Sequence, residues 1–328
     1  MVRAVRADLA LLRTWMGAGV GDATAPALMD DYAIGQTMDE CLARYPAGAT
    51  LSVMPAPRTY KTLAIVLSRF ELGEADRVLT LLTPHDGKLK AIAKGVRRPR
   101  SRIGGSVEPF AELDLVLAHG RTFDVVVQAS VAEAWLSLRD RLESAATAWY
   151  MGELAERAVE ERAPAYPVYA LVRRGFRLLD DGMTPSRVAR WFECGLADAL
   201  GMRPEVDRCA ECDRTLFEAE SFRWAPMVGG VLCERHPPPP TEHVELSLAA
   251  LKLLRAYRRL DIEALAALRL PRAVEAEVED CLRRFTRAIL EREARSLAFL
   301  DEVRGTAVRS EPRQGSGMEG PTVGRPTW

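Results

Sequence analysis

From Tyr60 onward the chain alternates short apolar runs with turn residues, at a period close to two. The runs are Leu63 to Leu67, Arg77 to Leu82, Lys88 to Ala93, Leu113 to Leu117 and Phe123 to Val131, and they are parted by Pro84-His85-Asp86-Gly87, Gly104-Gly105 and His119-Gly120. Runs of this length bounded by Gly, Pro and Asp read as strands. About five of them in about 75 residues predict a small closed β-barrel of the OB type, with an SH3-like barrel as the competing architecture. After Glu133 the period lengthens. Trp135, Leu138, Leu142, Trp149 and Leu154 fall close to the i, i+3, i+4 spacing and predict one buried helical face. Thr184-Pro185 supplies an N-cap and a first-turn proline for a helix carrying Val188, Trp191, Phe192, Gly195, Leu196 and Ala199, which Gly201 ends. Helical patterns resume at Ser247 to Leu260 and at Pro271 to Leu300, the second with a buried stripe of Val278, Cys281, Phe285 and Ile289. The expected fold class is α+β, with an OB barrel over 57–132, a helical domain over 133–206 and 242–304, and a small insertion over 207–241.

Two stretches stand outside that pattern. Residues 1–56 mix Gly, Ala, Asp and Pro with weak apolar periodicity, apart from a short helical pattern around Ala4 to Trp15. We expect an extension that is disordered or not part of the native protein, with translation starting at Met54. The tail over 305–328 carries Gly, Pro, Ser and charge with few apolar residues, and is expected to be disordered.

Composition narrows the class. A chain of 328 residues has room for about two domains with their own cores, and 48% hydrophobic with 28% charged residues is the balance of a soluble globular protein. No run approaches the roughly 20 apolar residues of a membrane span, and Leu9 to Leu12 is too short for a signal sequence, so a cytoplasmic protein is expected. Of six cysteines, Cys41, Cys194 and Cys281 are scattered, which suits a reducing compartment. Cys194 and Cys281 fall in apolar helical patterns and read as core fillers.

The remaining cysteines form a motif. Cys209-x-x-Cys212 is followed by Cys233-x-x-His236, and two closely spaced pairs of soft ligands are how tetrahedral zinc is held. Four protein ligands leave no open position, so the expected role of Zn2+ is structural. His243 is the alternative fourth ligand, separated from the second pair by Pro237 to Pro240. Vacant thiols or a disulfide are the competing reading. A redox motif would sit beside a βαβ unit, and a zinc deaminase would need His-x-Glu, which the chain lacks.

Charge is concentrated in one place. The net charge is -1, yet Lys88, Lys90, Lys94, Arg97, Arg98, Arg100 and Arg102 follow one another with no acidic residue between the first and the last. On a strand Lys88, Lys90 and Lys94 share a face, and the arginines continue onto the loop beyond it. A track of point charges and forked donors suits phosphates. Lysines guarding an edge strand are the plainer explanation, but they would not account for the arginines past the strand. The arginines of the last long pattern, Arg283, Arg284, Arg287, Arg292 and Arg295, read as a solvated face with Glu291 and Glu293 as neighbouring compensation.

Gly73-Glu74-Ala75-Asp76-Arg77, Gly87-Lys88-Leu89 leading to the basic run from Ala93 to Arg102, Gly104-Gly105, Glu108-Pro109-Phe110, Gly229-Gly230 before Cys233, and Arg295 to Leu300 together resemble the RecO family of recombination mediators. The resemblance covers Tyr60 to about Val303. It implies an N-terminal OB domain, a helical domain and a zinc-finger insertion working in recombinational repair of DNA damage. It also implies binding of single- and double-stranded DNA, annealing of complementary strands, and cooperation with RecR to load the RecA recombinase onto strands coated with single-strand-binding protein. Such a protein is not an enzyme, has no membrane partner, and works at the nucleoid. His236 departs from the pattern, since many relatives carry Cys there. The alternative is a zinc-containing transcription regulator, which would place base-reading side chains on a helix after the second ligand pair. Tyr60, Phe70 and Phe110 are the aromatics near the basic run, and each is expected in the core.

Overall fold

A computed structural model describes residues 58–98, 101, 107–217, 221–237, 239 and 242–310. The expectations for 1–56, for a start at Met54, for Arg100 and Arg102, and for the tail beyond 310 lie outside the described residues.

Five strands form a closed barrel: β1 (Thr59–Leu72), β2 (Asp76–Thr83), β3 (Gly87–Ala93), β4 (Ala111–Ala118) and β5 (Asp124–Ala134). Their order is β1-β2-β3-β5-β4, and the long β1 pairs antiparallel with both β2 and β4. A short parallel pairing, Ala91 with Asp124 and Ile92 with Val125, closes the ring between β3 and β5. This is the Greek-key closure of an OB fold, which removes free edges. Alternation on β3 sends Leu89, Ala91 and Ala93 inward to meet Ala64, Val66, Leu79, Leu81, Leu113 and Leu115. β2 is buried on both faces, because its outward Leu82 packs on the helices.

The helical domain contains α1 (Leu136–Asp140), α2 (Leu142–Ala158), α3 (Tyr166–Asp180), α4 (Pro185–Ala199), α5 (Leu248–Arg259), α6 (Ile262–Ala267), α7 (Arg272–Leu290) and α8 (Ser296–Ser310). The single face expected from Trp135 to Leu154 does not exist. Arg141 is extended, at φ −107° and ψ 113°, and separates α1 from α2, so the helical phase restarts. Trp135 and Leu138 are buried, while Leu142 is 62% exposed. On the expected α7 stripe Val278, Cys281 and Phe285 are buried, while Ile289 is half-buried. α8 runs through Gly305 to Ser310, so the helical domain does not stop at 304.

Barrel and helices share a core. Ile65, Leu67, Leu82 and Phe110 join Trp135, Met151 and Phe176, and the Phe110 ring meets those of Trp149 and Phe176 edge-on at 4.8 and 5.3 Å. Two buried barrel carboxylates find partners across this boundary. Asp124 accepts from Arg162 at 2.7 Å and from Tyr60, while Glu112 accepts from Arg173 at 2.9 Å and from Tyr169. Unpartnered, each would carry a large desolvation cost.

The insertion is built on a three-stranded sheet of β6 (Phe222–Ala225), β7 (Gly230–Cys233) and β8 (Val244–Leu246), with β6 central. Its third strand lies past the expected limit at 241, because β6 would otherwise present a bare edge. It is also no separate body. Phe222, Trp224, Val231 and Leu246 belong to the same core as the helices, and the Trp224 ring lies 5.7 Å from that of Phe285. Gly230 makes a close crossing possible: a Cβ there would stand 2.2 Å from the Glu205 carbonyl oxygen.

Candidate metal centre and nucleic-acid interface

The two ligand pairs converge. The first knuckle is closed by Asp213 N–H donating to the Cys209 carbonyl at 2.9 Å and Cys209 N–H donating to Arg214 at 2.8 Å, with Asp213 at φ +56°. Aspartate tolerates that left-handed conformation better than most residues. β7 then hooks onto the knuckle, through Ala210 N–H to Val231 O at 2.9 Å and Cys233 N–H to Cys209 Sγ at 3.4 Å. The ligand atoms of Cys209, Cys212, Cys233 and His236 all lie within 4.8 Å of one another. Zinc–sulfur bonds of about 2.3 Å in a tetrahedron set sulfurs roughly 3.8 Å apart. Cys212 Sγ and Cys233 Sγ are 3.9 Å apart, and these thiols are free rather than disulfide-linked. Burial pushes the Cys209 thiol up, but N–H groups of Cys233, Cys212 and Glu211 aimed at its sulfur outweigh this and leave it below its ordinary value. The donor set therefore fits a metal that takes thiolates.

Asp207 fastens the knuckle to the helix that follows it. It meets Arg255 at 3.3 Å, Arg258 at 3.2 Å and Arg259 at 2.6 Å. These are the three arginines of α5, the helix that a DNA reader would place after the second ligand pair. Here they are turned to the protein, and the apolar face of α5 is buried.

The basic run divides into two halves. At its start, β3 is docked on the α2–α3 connection. Lys88 N–H donates to Glu160 O at 3.4 Å, Lys88 Nζ to Glu156 O at 2.6 Å, and Arg162 N–H to Lys88 O at 3.1 Å. Gly87 has φ +55°, and a Cβ on it would stand 2.0 Å from Ala163 O. Lys88 thus holds the barrel to the helices and is not part of a free cationic ridge.

Past β3 the chain is clipped to the β1–β2 turn instead. Gly95, at φ +62°, donates its N–H to Asp76 Oδ1 at 2.8 Å, and Arg97 N–H donates to Ala75 O at 3.0 Å. Lys94, Arg97 and Arg98 are exposed, and Lys90 is half-buried. Arg97 pairs with Glu71 at 3.1 Å. Among the described residues, Lys90, Lys94 and Arg98 have no ion-pair partner.

Of the arginines expected on a solvated face, Arg283, Arg284 and Arg287 are paired, though not to Glu291 or Glu293, and no ion pair forms at Arg292 or Arg295 among the described residues. Arg283 meets Glu279 at 2.5 Å and Asp301 at 2.7 Å, Arg284 meets Asp280 at 2.8 Å and Glu242, and Arg287 meets Glu242 at 2.5 Å. Sequence reasoning overlooked Asp76, Asp207 and Glu153. Glu153 accepts from Arg295 N–H, Ser296 N–H and Ser296 Oγ at 2.9, 2.8 and 2.5 Å and so caps α8. Only Asp76 lies inside one of the sequence motifs, and apart from Arg157, four residues from Glu153, the partners of these three carboxylates are distant in sequence.

Comparison with known proteins agrees with this architecture. Family models match as Recombination protein O N terminal over residues 56–135 and Recombination protein O C terminal over 139–298. A DNA repair protein RecO from Roseiflexus sp. (strain RS-1) is 40% identical over 255 residues, covering 78% of this chain and 89% of the relative. One from Desulforudis audaxviator (strain MP104C) is 37% identical over 245 residues, covering 74% and 96%. One from Dehalococcoides mccartyi (strain ATCC BAA-2266 / KCTC 15142 / 195) is 31% identical over 250 residues, covering 76% and 98%.

Proposed function

The chain belongs to the recombination protein O family of DNA repair proteins, and from that premise we propose that it binds single- and double-stranded DNA through the loop after β3 and anneals complementary strands. The observation that supports the reading is that Lys90, Lys94 and Arg98 follow one another along β3 and the loop after it without carboxylate partners, while Arg69, Arg77 and Arg97 nearby are paired. Annealing brings two polyanions together, and unneutralised cations lower their repulsion without reading base identity. The clip at Asp76 and Ala75 holds the loop in place, so its charges need less ordering on contact. Lys88 is left out of the contact set; Arg100 and Arg102 lie outside the described residues.

The metal in this reading is Zn2+, held by Cys209, Cys212, Cys233 and His236, and its part is to fasten the finger rather than to react. The protein is not an enzyme. Its partners are RecR, single-strand-binding protein and, through them, RecA, and it works in the cytoplasm on nucleoid DNA. Among the described residues no helix is long and apolar enough to cross a membrane.

The test is oligonucleotide affinity across a salt series for the double variant Lys94→Ala/Arg98→Ala, with Arg284→Ala/Arg287→Ala beside it. Each single-strand phosphate contact contributes about 0.7 to the log–log slope, so the loop variant should lose roughly 1.4. Its annealing rate should fall in parallel. The α7 variant should keep the wild-type slope; a loss there and none in the loop would move the DNA path to the helical domain.

A further inference from the structure

The barrel's aromatic residues differ in exposure. Phe110 is buried at 4%, wedged between barrel and helices. Tyr60 donates to Asp124 and stacks on His119 at 4.6 Å. Phe70 is 47% exposed near the tip of β1. Its position is given by the pairing register. Phe70 opposes Val78 on β2, and Val78 opposes Ile92 on β3. Directly opposed residues share a face of the sheet. The next row toward the helices is Ser68, Thr80 and Lys90. The row beyond Phe70 is Leu72 with Asp76, the residue that holds Gly95 just after Lys94.

We propose that Phe70 is a stacking platform for one base of a single DNA strand whose phosphates run along Lys90, Lys94 and Arg98. The inference rests on the DNA-binding function proposed above and adds to it a preference for unpaired bases. Two strand spacings and two residues of rise separate the Phe70 and Lys90 positions, roughly 10 Å across and 7 Å along. That lets the lysine's flexible stem bring its charge toward the backbone of a nucleotide whose base covers the ring. Glu71, the acid adjacent to Phe70, is paired with Arg97 and leaves the nearby cations uncompensated. An aromatic ring beside a cationic track is how sequence-tolerant single-strand sites are built, since every base has a π-face. In a duplex the base faces are already stacked, so the ring gains nothing there.

The experiment uses the full chain and its Phe70→Ala and Phe70→Trp variants. Three probes of equal length are titrated: an oligothymidine strand, an abasic strand and a duplex. Stacking removed by alanine substitution corresponds to about 5- to 140-fold in affinity, and a half-exposed ring should fall toward the lower end. Phe70→Ala should therefore lose about fivefold or more on oligothymidine, lose nothing on the abasic strand or the duplex, and keep the wild-type salt slope. Phe70→Trp should restore the oligothymidine affinity. Unchanged affinity for oligothymidine in Phe70→Ala would overturn the platform while leaving the DNA-binding reading intact. Equal losses on all three probes would also overturn it, as a structural effect. A wild-type protein that binds none of the probes would remove the DNA-binding reading itself.

Discussion

The Cys/His knuckle and the basic loop are both short motifs dense in chemical side chains, but the fold uses them in opposite ways. The knuckle faces inward: Cys209 and Cys233 are buried, the sheet behind them shares the helical core, and Asp207 is held by arginines of α5. The basic loop faces outward, clipped at its backbone and exposed at its side chains. An inward motif contributes to folding, so its loss should appear in stability. An outward motif with uncompensated charge contributes to binding, so its loss should appear in salt-dependent affinity. The arginines repeat the lesson, since Arg283, Arg284 and Arg287 of α7 are as dense as the loop's and each is engaged with a carboxylate.

The strongest way to break this contrast is to test the metal proposed for the knuckle. Chelation, or Cys209→Ala, should cost on the order of 5 kcal/mol or more, because the binding free energy of a structural zinc is folding free energy. Metal analysis together with thermal unfolding checks this, and protein purified under reducing conditions without chelator should contain zinc. A stable, metal-free protein would make the knuckle a mere thiol cluster.

A smaller effect is expected where the basic strand turns inward. Gly87→Ala should cost about 3 kcal/mol, from a left-handed backbone and a Cβ placed against Ala163 O. Urea unfolding measures it. If Gly87→Ala were as harmless as a loop substitution, the division of β3 into a docked start and a free end would fail.

Glu153 gives a pH-dependent version of the same comparison. Burial raises its pKa, but donors from Ser296 and Arg295 and the charge of Arg157 outweigh that and leave it below the ordinary glutamate value. A depressed carboxylate stabilises the folded state above the unfolded value, roughly 4.3, and loses that contribution as pH falls through the folded value. Glu153→Gln should cost about 1–2 kcal/mol at neutral pH and converge with wild type in acid, read by unfolding at several pH values.

The smallest expected stability change belongs to the loop. Lys94→Ala/Arg98→Ala should shift stability by no more than about 0.5 kcal/mol while lowering the salt slope. A loss comparable to that of Cys209→Ala would mean that these charges hold the fold together, and the contrast would collapse.

Local patterns alone determined a good deal of this. Period-two runs gave five barrel strands, the Cys-x-x-Cys and Cys-x-x-His spacings gave the ligand set, and the absence of acids from Lys88 to Arg102 marked the basic run. Each signal is carried by neighbours in the chain, through strand alternation, the bite of a knuckle or a run of charge. Tertiary structure alone decided which cations remain free. Lys88 lies two residues from Lys90, yet it is tied to Glu156 on a helix that nothing in its own segment foretells. Arg287 is neutralised by Glu242, and Gly95 is held by Asp76. Phe70, expected in the core, stands exposed although Val78, opposite it on β2, is fully buried, a difference that lies in the surroundings of each side chain and not in the local pattern. Ion pairing and exposure depend on distances between residues far apart in sequence, and those distances exist only once the chain has closed on itself.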